Sequence, residues 1–290
     1  MSIATRVLDL LTGDEPNQPR LTWYGPADER VELSGRVLAN WVTKATNLLV
    51  EEGEVEPGTR VLLDIPVHWR ALVWAMATWC AGGELVLPEE DSFDEDAALD
   101  DDPYEPDAVD DVDDGDEAEE LEEEDEGSSF IADETAEEPD IAVTSRPAGA
   151  PSAGLVLVVA LPALATQVDE PIPEGALDAA AALLGHGDHL GFVQEPADTD
   201  AALSGPEVAG SAGGPVTYGE LAQWCRDQTP ASHRDEPQPR VLCCPRNHVE
   251  MLAHAVAAWR SGGSLVLLGE DVDAGRFDEI EAAERAVVRC

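Results

Sequence analysis

The chain has 290 residues, 43% of them hydrophobic, and a formal net charge of -46 from 62 acidic and 16 basic side chains. That length suits one large α/β domain or two small ones. The charge excludes nucleic acid and anionic membrane as partners, because both require lysine and arginine to neutralise phosphate, and Lys44 is the one lysine in the sequence.

From the N-terminus, Leu38, Trp41, Val42, Ala45, Leu48 and Leu49 share one face of a helix, with Ser34 as its N-cap and Gly53 as its stop. Val61-Leu62-Leu63 is a short apolar run of the kind that forms a buried parallel strand. Trp69 to Ala81 is apolar almost all round, which predicts a helix covered on more than one side. Gly82-Gly83 ends it, and Leu85-Val86-Leu87 forms the next strand.

Residues 89–140 then hold 29 of the acidic side chains and no lysine or arginine. Like-charge repulsion and the lack of apolar area predict a disordered, solvated insertion. Within it, Asp110 to Gly115 imitates the start of a calcium loop, but Val112 and Leu121 stand where ligands are needed, so no calcium site is expected.

Beyond the insertion, Ile141-Ala142-Val143, Leu155 to Leu161 and Gly191-Phe192-Val193 read as strands, and Ala176 to Leu184 as a helix. Leu221-Ala222-Gln223-Trp224 echoes the helix at Leu38-Ala39-Asn40-Trp41. Residues 240–271 then repeat residues 60–91 without a gap, with 15 of 32 positions identical, including Arg60/Arg240, His68/His248, Trp79/Trp259 and both Gly-Gly pairs. Each copy reads strand, helix, strand, which implies a right-handed parallel crossover. The expectation is an α/β fold with a mainly parallel sheet flanked by helices and two pseudo-symmetric halves. Residues 1–88 form the first half, 89–140 the insertion, and 141–290 the remainder with the second copy.

Glu56-Pro57-Gly58-Thr59-Arg60-Val61, Ile65-Pro66 and Ala81-Gly82-Gly83 before a strand ending at Pro88 resemble the opening of the adenylate-forming superfamily, the AMP-dependent synthetases and ligases. Pro245-Arg246-Asn247-His248 is similar to a second landmark of that family. The chain also resembles an uncharacterised actinobacterial group of synthetase-like proteins.

The resemblance implies the N-terminal region of such an enzyme, with ATP or AMP as its ligand. A nucleotide-binding loop falls on Gly210, Ser211, Ala212, Gly213, Gly214 and Pro215, and His248 becomes a pocket residue. The family's loop serine, lysine and final glycine are here Ala209, Val216 and Thr217, and no arginine lies between Arg146 and Arg226. The cation that a phosphate cradle needs is therefore missing. The family's later motifs, its catalytic lysine among them, fall beyond Cys290. The expectation is a protein that does not adenylate alone and binds a nucleotide or acyl ligand weakly, with no catalytic residue assigned.

Two alternatives stand beside it: an interaction protein, docking a partner or a second copy through the apolar helix 69–81 or the acidic segment, and one half of a split enzyme. His68 and His248 both follow strands, where a shared structural role competes with ligand contact. His186, Asp188 and His189 form an HGDH cluster on the opposite edge, and Lys44 reads as a solvated side chain. The five cysteines show no CxxC pair or zinc spacing, so no metal is expected and the thiols read as reduced, with Cys243 and Cys244, inside an apolar run, as buried and inert. No leader and no membrane-length apolar run is visible, which gives a cytoplasmic expectation.

Overall fold

The computed structural model describes residues 2–88, 138–163, 165–206, 208–228 and 238–290. The acidic run at 89–137, with the rejected calcium loop and all but the last three residues of the insertion expected to be disordered, lies outside the described residues. The insertion's last residue, Asp140, is instead fixed beside β3 by bonds to the Arg60 backbone.

In chain order the elements are α1 (Ile3–Thr12), β1 (Pro19–Tyr24), β2 (Arg30–Ser34), α2 (Gly35–Glu51), β3 (Arg60–Asp64), α3 (Trp69–Ala81) and β4 (Glu84–Val86). After the acidic run come β5 (Ile141–Thr144), β6 (Leu155–Val158), β7 (Leu177–Asp178), α4 (Ala179–Gly185), β8 (Ala201–Ser204) and β9 (Val216–Thr217). The chain continues through α5 (Leu221–Gln228), β10 (Arg240–Cys243), α6 (His248–Arg260), β11 (Ser264–Leu268), α7 (Phe277–Glu284) and β12 (Val288–Arg289).

Two sheets result. One has the order β12-β10-β11-β1-β2 and the other β7-β6-β5-β3-β4-β8-β9. All described pairings are parallel except the hairpins β1–β2 and β8–β9.

The repeat is structural as well as sequential. Arg60 and Val61 lie beside Glu84 and Leu85, and Arg240 and Val241 lie beside Ser264 and Leu265, so both copies close their crossover in the same register. The duplication also extends beyond the aligned 32 residues. Each copy is preceded by a hairpin and a helix, β1-β2-α2 in the first and β8-β9-α5 in the second.

The hairpins are exchanged. β1 pairs with β11 of the second copy, and β8 pairs with β4 of the first. Two tryptophans secure the exchange at equivalent positions. Trp79 Nε1 donates to Ala202 O in β8, and Trp259 Nε1 donates to Arg20 O in β1, each at 2.8 Å.

Every residue of α3 is buried. Its neighbours α1 and α2 belong to the same chain, so the apolar helix 69–81 has no open face for a partner, contrary to the docking role considered for it. Its three indoles, Trp69, Trp74 and Trp79, are each no more than 2% exposed. Each offers about 150–250 Å² for burial, or about 4–6 kcal/mol gross at ~25 cal/mol per Å². Gly82 closes α3 in the left-handed conformation, φ +88, which an L side chain adopts only at a cost.

Two expected elements differ. Residues 191–193 form no strand and Phe192 is 86% exposed. Asn47 on α2 holds the segment leading into it: its side chain accepts from Gly191 N–H (3.0 Å), the first backbone donor of the expected strand, and donates to the Gly187 and His189 carbonyls. The helix read at 176–184 begins at Ala179, because Leu177–Asp178 pairs with β6 and Asp178 caps α4.

Candidate functional site

In both sheets the parallel strands deliver their carboxyl ends to loops, the edge at which open α/β sheets bind ligands. Loops after β1 and β11 from one sheet, and after β3 and β6 from the other, enclose a cavity of 350 Å³. Its walls are mainly apolar and include Trp23, Pro66, Val67 and Leu161, and its rim carries Glu29, Glu270 and Asp271. Among the described residues, no lysine or arginine lines it.

Glu29 is held in place by Trp23 Nε1 (3.1 Å) and Ala163 N–H (2.7 Å). Arg70 stacks on Trp69 and Trp41 with its guanidinium 4.5 and 5.4 Å from the ring centres. It donates to the Pro162 and Ala163 carbonyls at 3.2 and 3.4 Å. Burial lowers its pKa to about 10, which leaves it cationic at neutral pH.

His68 lines this cavity. Its ring meets Trp23 edge-on at 4.6 Å, and Nδ1 accepts from Arg70 N–H at 3.1 Å, capping α3. Burial, aided by the Arg70 charge, pushes its pKa down to about 3. The ring is therefore neutral across the physiological range, and no imidazolium is available there as a proton donor.

His248 is not among the lining residues. It is buried at the start of α6, where Nε2 donates to Ile65 O at 2.7 Å. The two repeated histidines thus take different bonds: His68 caps its own helix, whereas His248 ties the second half to the first.

The loop Gly210 to Pro215 connects β8 to β9 at the same carboxyl edge. It closes on itself: Gly210 N–H donates to Gly214 O (2.7 Å) and Gly213 N–H to Gly210 O (3.0 Å). Gly213 has φ +78, and a Cβ on Gly210 would stand 2.5 Å from Pro215 O.

A carboxylate already occupies the loop. Glu220 Oε1 accepts the Ser211 hydroxyl and the Ser211 N–H (3.3 Å). Its Oε2 accepts the Thr217 N–H and hydroxyl, both at 3.1 Å. These bonds, the Ser211 hydroxyl first, hold the Glu220 carboxyl below the usual carboxylate range. Val216, at the position of the lysine in the resembling motif, is fully buried and pairs with Leu203. Ala212, Gly214 and Pro215 complete the turn. Sequence reasoning passed over Glu220, although Thr217-x-x-Glu220 is a capping-box pattern that signals this bond.

The HGDH segment is drawn onto α2. His186 Nδ1 lies 3.1 Å from Glu51, and Asp188 pairs with Lys44 at 2.9 Å. Lys44, read from sequence as simply solvated, also donates to His186 O. Among the described residues, no helix is long and apolar enough to cross a membrane.

No protein-family model matches the chain. A curated protein of Mycobacterium tuberculosis, a TIGR03089 family protein, is 35% identical over 89 residues, which cover 30% of this chain and 37% of that protein. Among solved structures, an acyl-CoA synthetase of Brucella canis superposes with a TM-score of 0.67 at 14% identity, covering 100% of this chain and 47% of its own. A fatty acyl CoA synthetase of Mycobacterium tuberculosis gives 0.59 at 14% identity, over 99% and 48%. The N-terminal subdomain of NpsA from Klebsiella oxytoca gives 0.59 at 10% identity, over 100% and 59%. The chain spans about half the length of these synthetases and little more than a third of the curated relative. It therefore has the α/β fold of the N-terminal region of adenylate-forming enzymes, the acyl-CoA synthetases and adenylation domains.

Proposed function

We propose that this chain keeps the fold of the adenylate-forming N-terminal domain but does not adenylate, and that its strand-end cavity takes an uncharged or cationic apolar ligand rather than a nucleotide. The Glu220 carboxylate inside the Gly210–Pro215 loop carries this reading. A phosphate cradle works by presenting unpaired N–H groups and a cation to an anion. Here the Gly210, Ser211 and Gly213 N–H groups are engaged within the protein, and a resident anion repels an incoming one. The acidic rim of the cavity acts in the same direction.

The test is a thermal-shift titration of the whole chain with Mg-ATP, AMP and a stable acyl-adenylate analogue, together with pyrophosphate–ATP exchange. No exchange and no shift are expected. Saturating ligand at ~100 times its dissociation constant stabilises by about 2.7 kcal/mol, a rise of about 5 °C for a domain of this size. A rise of that order with any of the three ligands, or measurable exchange, would overturn the proposal.

A further inference from the structure

The edge of the smaller sheet carries a cluster that neither the cavity nor the loop uses. β10 and β12 run parallel, with Val241 beside Val288 and Leu242 beside Arg289. The ladder continues through Cys290 N–H to Leu242 O (2.9 Å) and Cys244 N–H to Cys290 O (3.2 Å). That register sets Cys243 and Cys290 side by side on one face of the sheet, since side chains alternate along a strand.

α6 covers the same face. The two Sγ atoms and an imidazole nitrogen of His254 all lie within 4.8 Å of one another. Cys243 and His254 are buried and Cys290 is exposed. Cys244 packs instead against the apolar cluster of Leu242, Val266 and Leu268 on the other face. Glu250, one turn before His254, accepts from the Arg246 N–H and Nε at 3.0 and 3.1 Å.

The duplication supplies an internal comparison. In the first copy Leu63 stands where Cys243 stands in the second, and Trp74 where His254 stands. Val143, the partner of Leu63 in β5, corresponds to Cys290. Those three side chains are 1%, 2% and 0% exposed, a dry apolar trio that satisfies the same packing position. Packing therefore does not demand two thiols and an imidazole here.

We infer that Cys243, His254 and Cys290 form a binding site for a thiophilic d¹⁰ cation of the zinc(II) class, with its fourth position open to solvent on the Cys290 side. Two soft thiolates and one imidazole suit such an ion. Two thiolates also balance a divalent charge, which favours a partly buried site. On binding, both thiols release their protons and His254 coordinates in its neutral form. Zinc–sulfur and zinc–nitrogen bonds of about 2.3 and 2.0 Å place tetrahedral ligand atoms roughly 3.5–4 Å apart, so the cluster needs to close by only about 1 Å.

The inference is independent of the function proposed above. Its test is a titration of the reduced full chain with cobalt(II), followed by zinc(II). The expected result is one cobalt per chain, with thiolate-to-cobalt charge transfer in the near ultraviolet and intense tetrahedral bands in the visible, both abolished by zinc. Cys290→Val and Cys243→Leu, which install the side chains of the first copy and so preserve packing, are expected to lose the bands while keeping the far-ultraviolet dichroism. Cys244→Ala is expected to keep them. A weak octahedral cobalt spectrum without charge transfer would signal carboxylate binding only and overturn the assignment. So would bands that survive Cys290→Val, or a reduced chain that gives no bands although Cys243 and Cys290 join in a disulfide on oxidation.

Discussion

His68 Nδ1 accepts the Arg70 N–H and caps α3, whereas α6 is capped one position earlier by Asn247, which accepts from Glu250 N–H. The same histidine in two copies of one motif thus takes two bonds, because position 67 is valine in the first copy and its counterpart, 247, is asparagine in the second. A buried neutral cap has a consequence for pH. The folded pKa of His68 is depressed to about 3, while in the unfolded chain it returns to about 6.5. The stability due to its neutral burial is full above pH ~6.5 and falls on acidification by about 1.4 kcal/mol per unit until the folded pKa is reached. His68→Asn keeps a capping group and removes this titration. Between pH 7 and 5 the variant is expected to lose about 2 kcal/mol less than the parent in urea unfolding. Parallel pH profiles for the two proteins would show that His68 is not the group responsible.

Among the elements, the exchanged hairpins depend on a small set of bonds that recur in both copies. Besides Trp79 and Trp259, Tyr218 Oη donates to Gly83 O at 2.7 Å, and Arg20 Nη1 donates to Gly263 O at 2.7 Å. Each Gly-Gly turn is thus tied to the hairpin of the other copy. Trp79→Phe and Trp259→Phe each remove one buried hydrogen bond and part of an indole, for an expected loss of about 1–3 kcal/mol apiece. Trp224 Nε1 is buried and has no hydrogen-bond partner among the described residues, so Trp224→Phe is expected to cost less than either. Equilibrium denaturation of the three variants checks the order, and an equal cost for all three would remove the hydrogen bonds from the explanation.

At the scale of the whole molecule, the exchange makes the two sequence halves interdependent. A chain of residues 1–88 alone would leave β4 without β8, and the β1–β2 hairpin without β11. Such a fragment is expected to be unfolded by near-ultraviolet dichroism and tryptophan fluorescence, and to regain structure when mixed with residues 138–290. A cooperative thermal transition in the isolated 1–88 fragment would contradict the exchange.

Local patterning carried much of this architecture. The apolar run Trp69–Ala81, the Ser34 cap, the Gly-Gly stops and the 32-residue repeat marked α2, α3, α6 and their strands, because helix faces, caps and strand runs depend on neighbours close in the chain. The resemblance of the loop and the absence of its lysine were equally visible, since they are properties of adjacent residues. Three features were decided only in three dimensions. The hairpin exchange joins β1 to β11 across some 240 residues, and no local periodicity encodes which sheet edge a strand will choose. The covering of α3 by α1 and α2, which removes the need for a partner there, depends on where those helices pack. Cys243, His254 and Cys290 have no metal-like spacing in the sequence. They meet because parallel register aligns two strands and a crossover helix returns over the same face, geometry that exists only once the chain is folded.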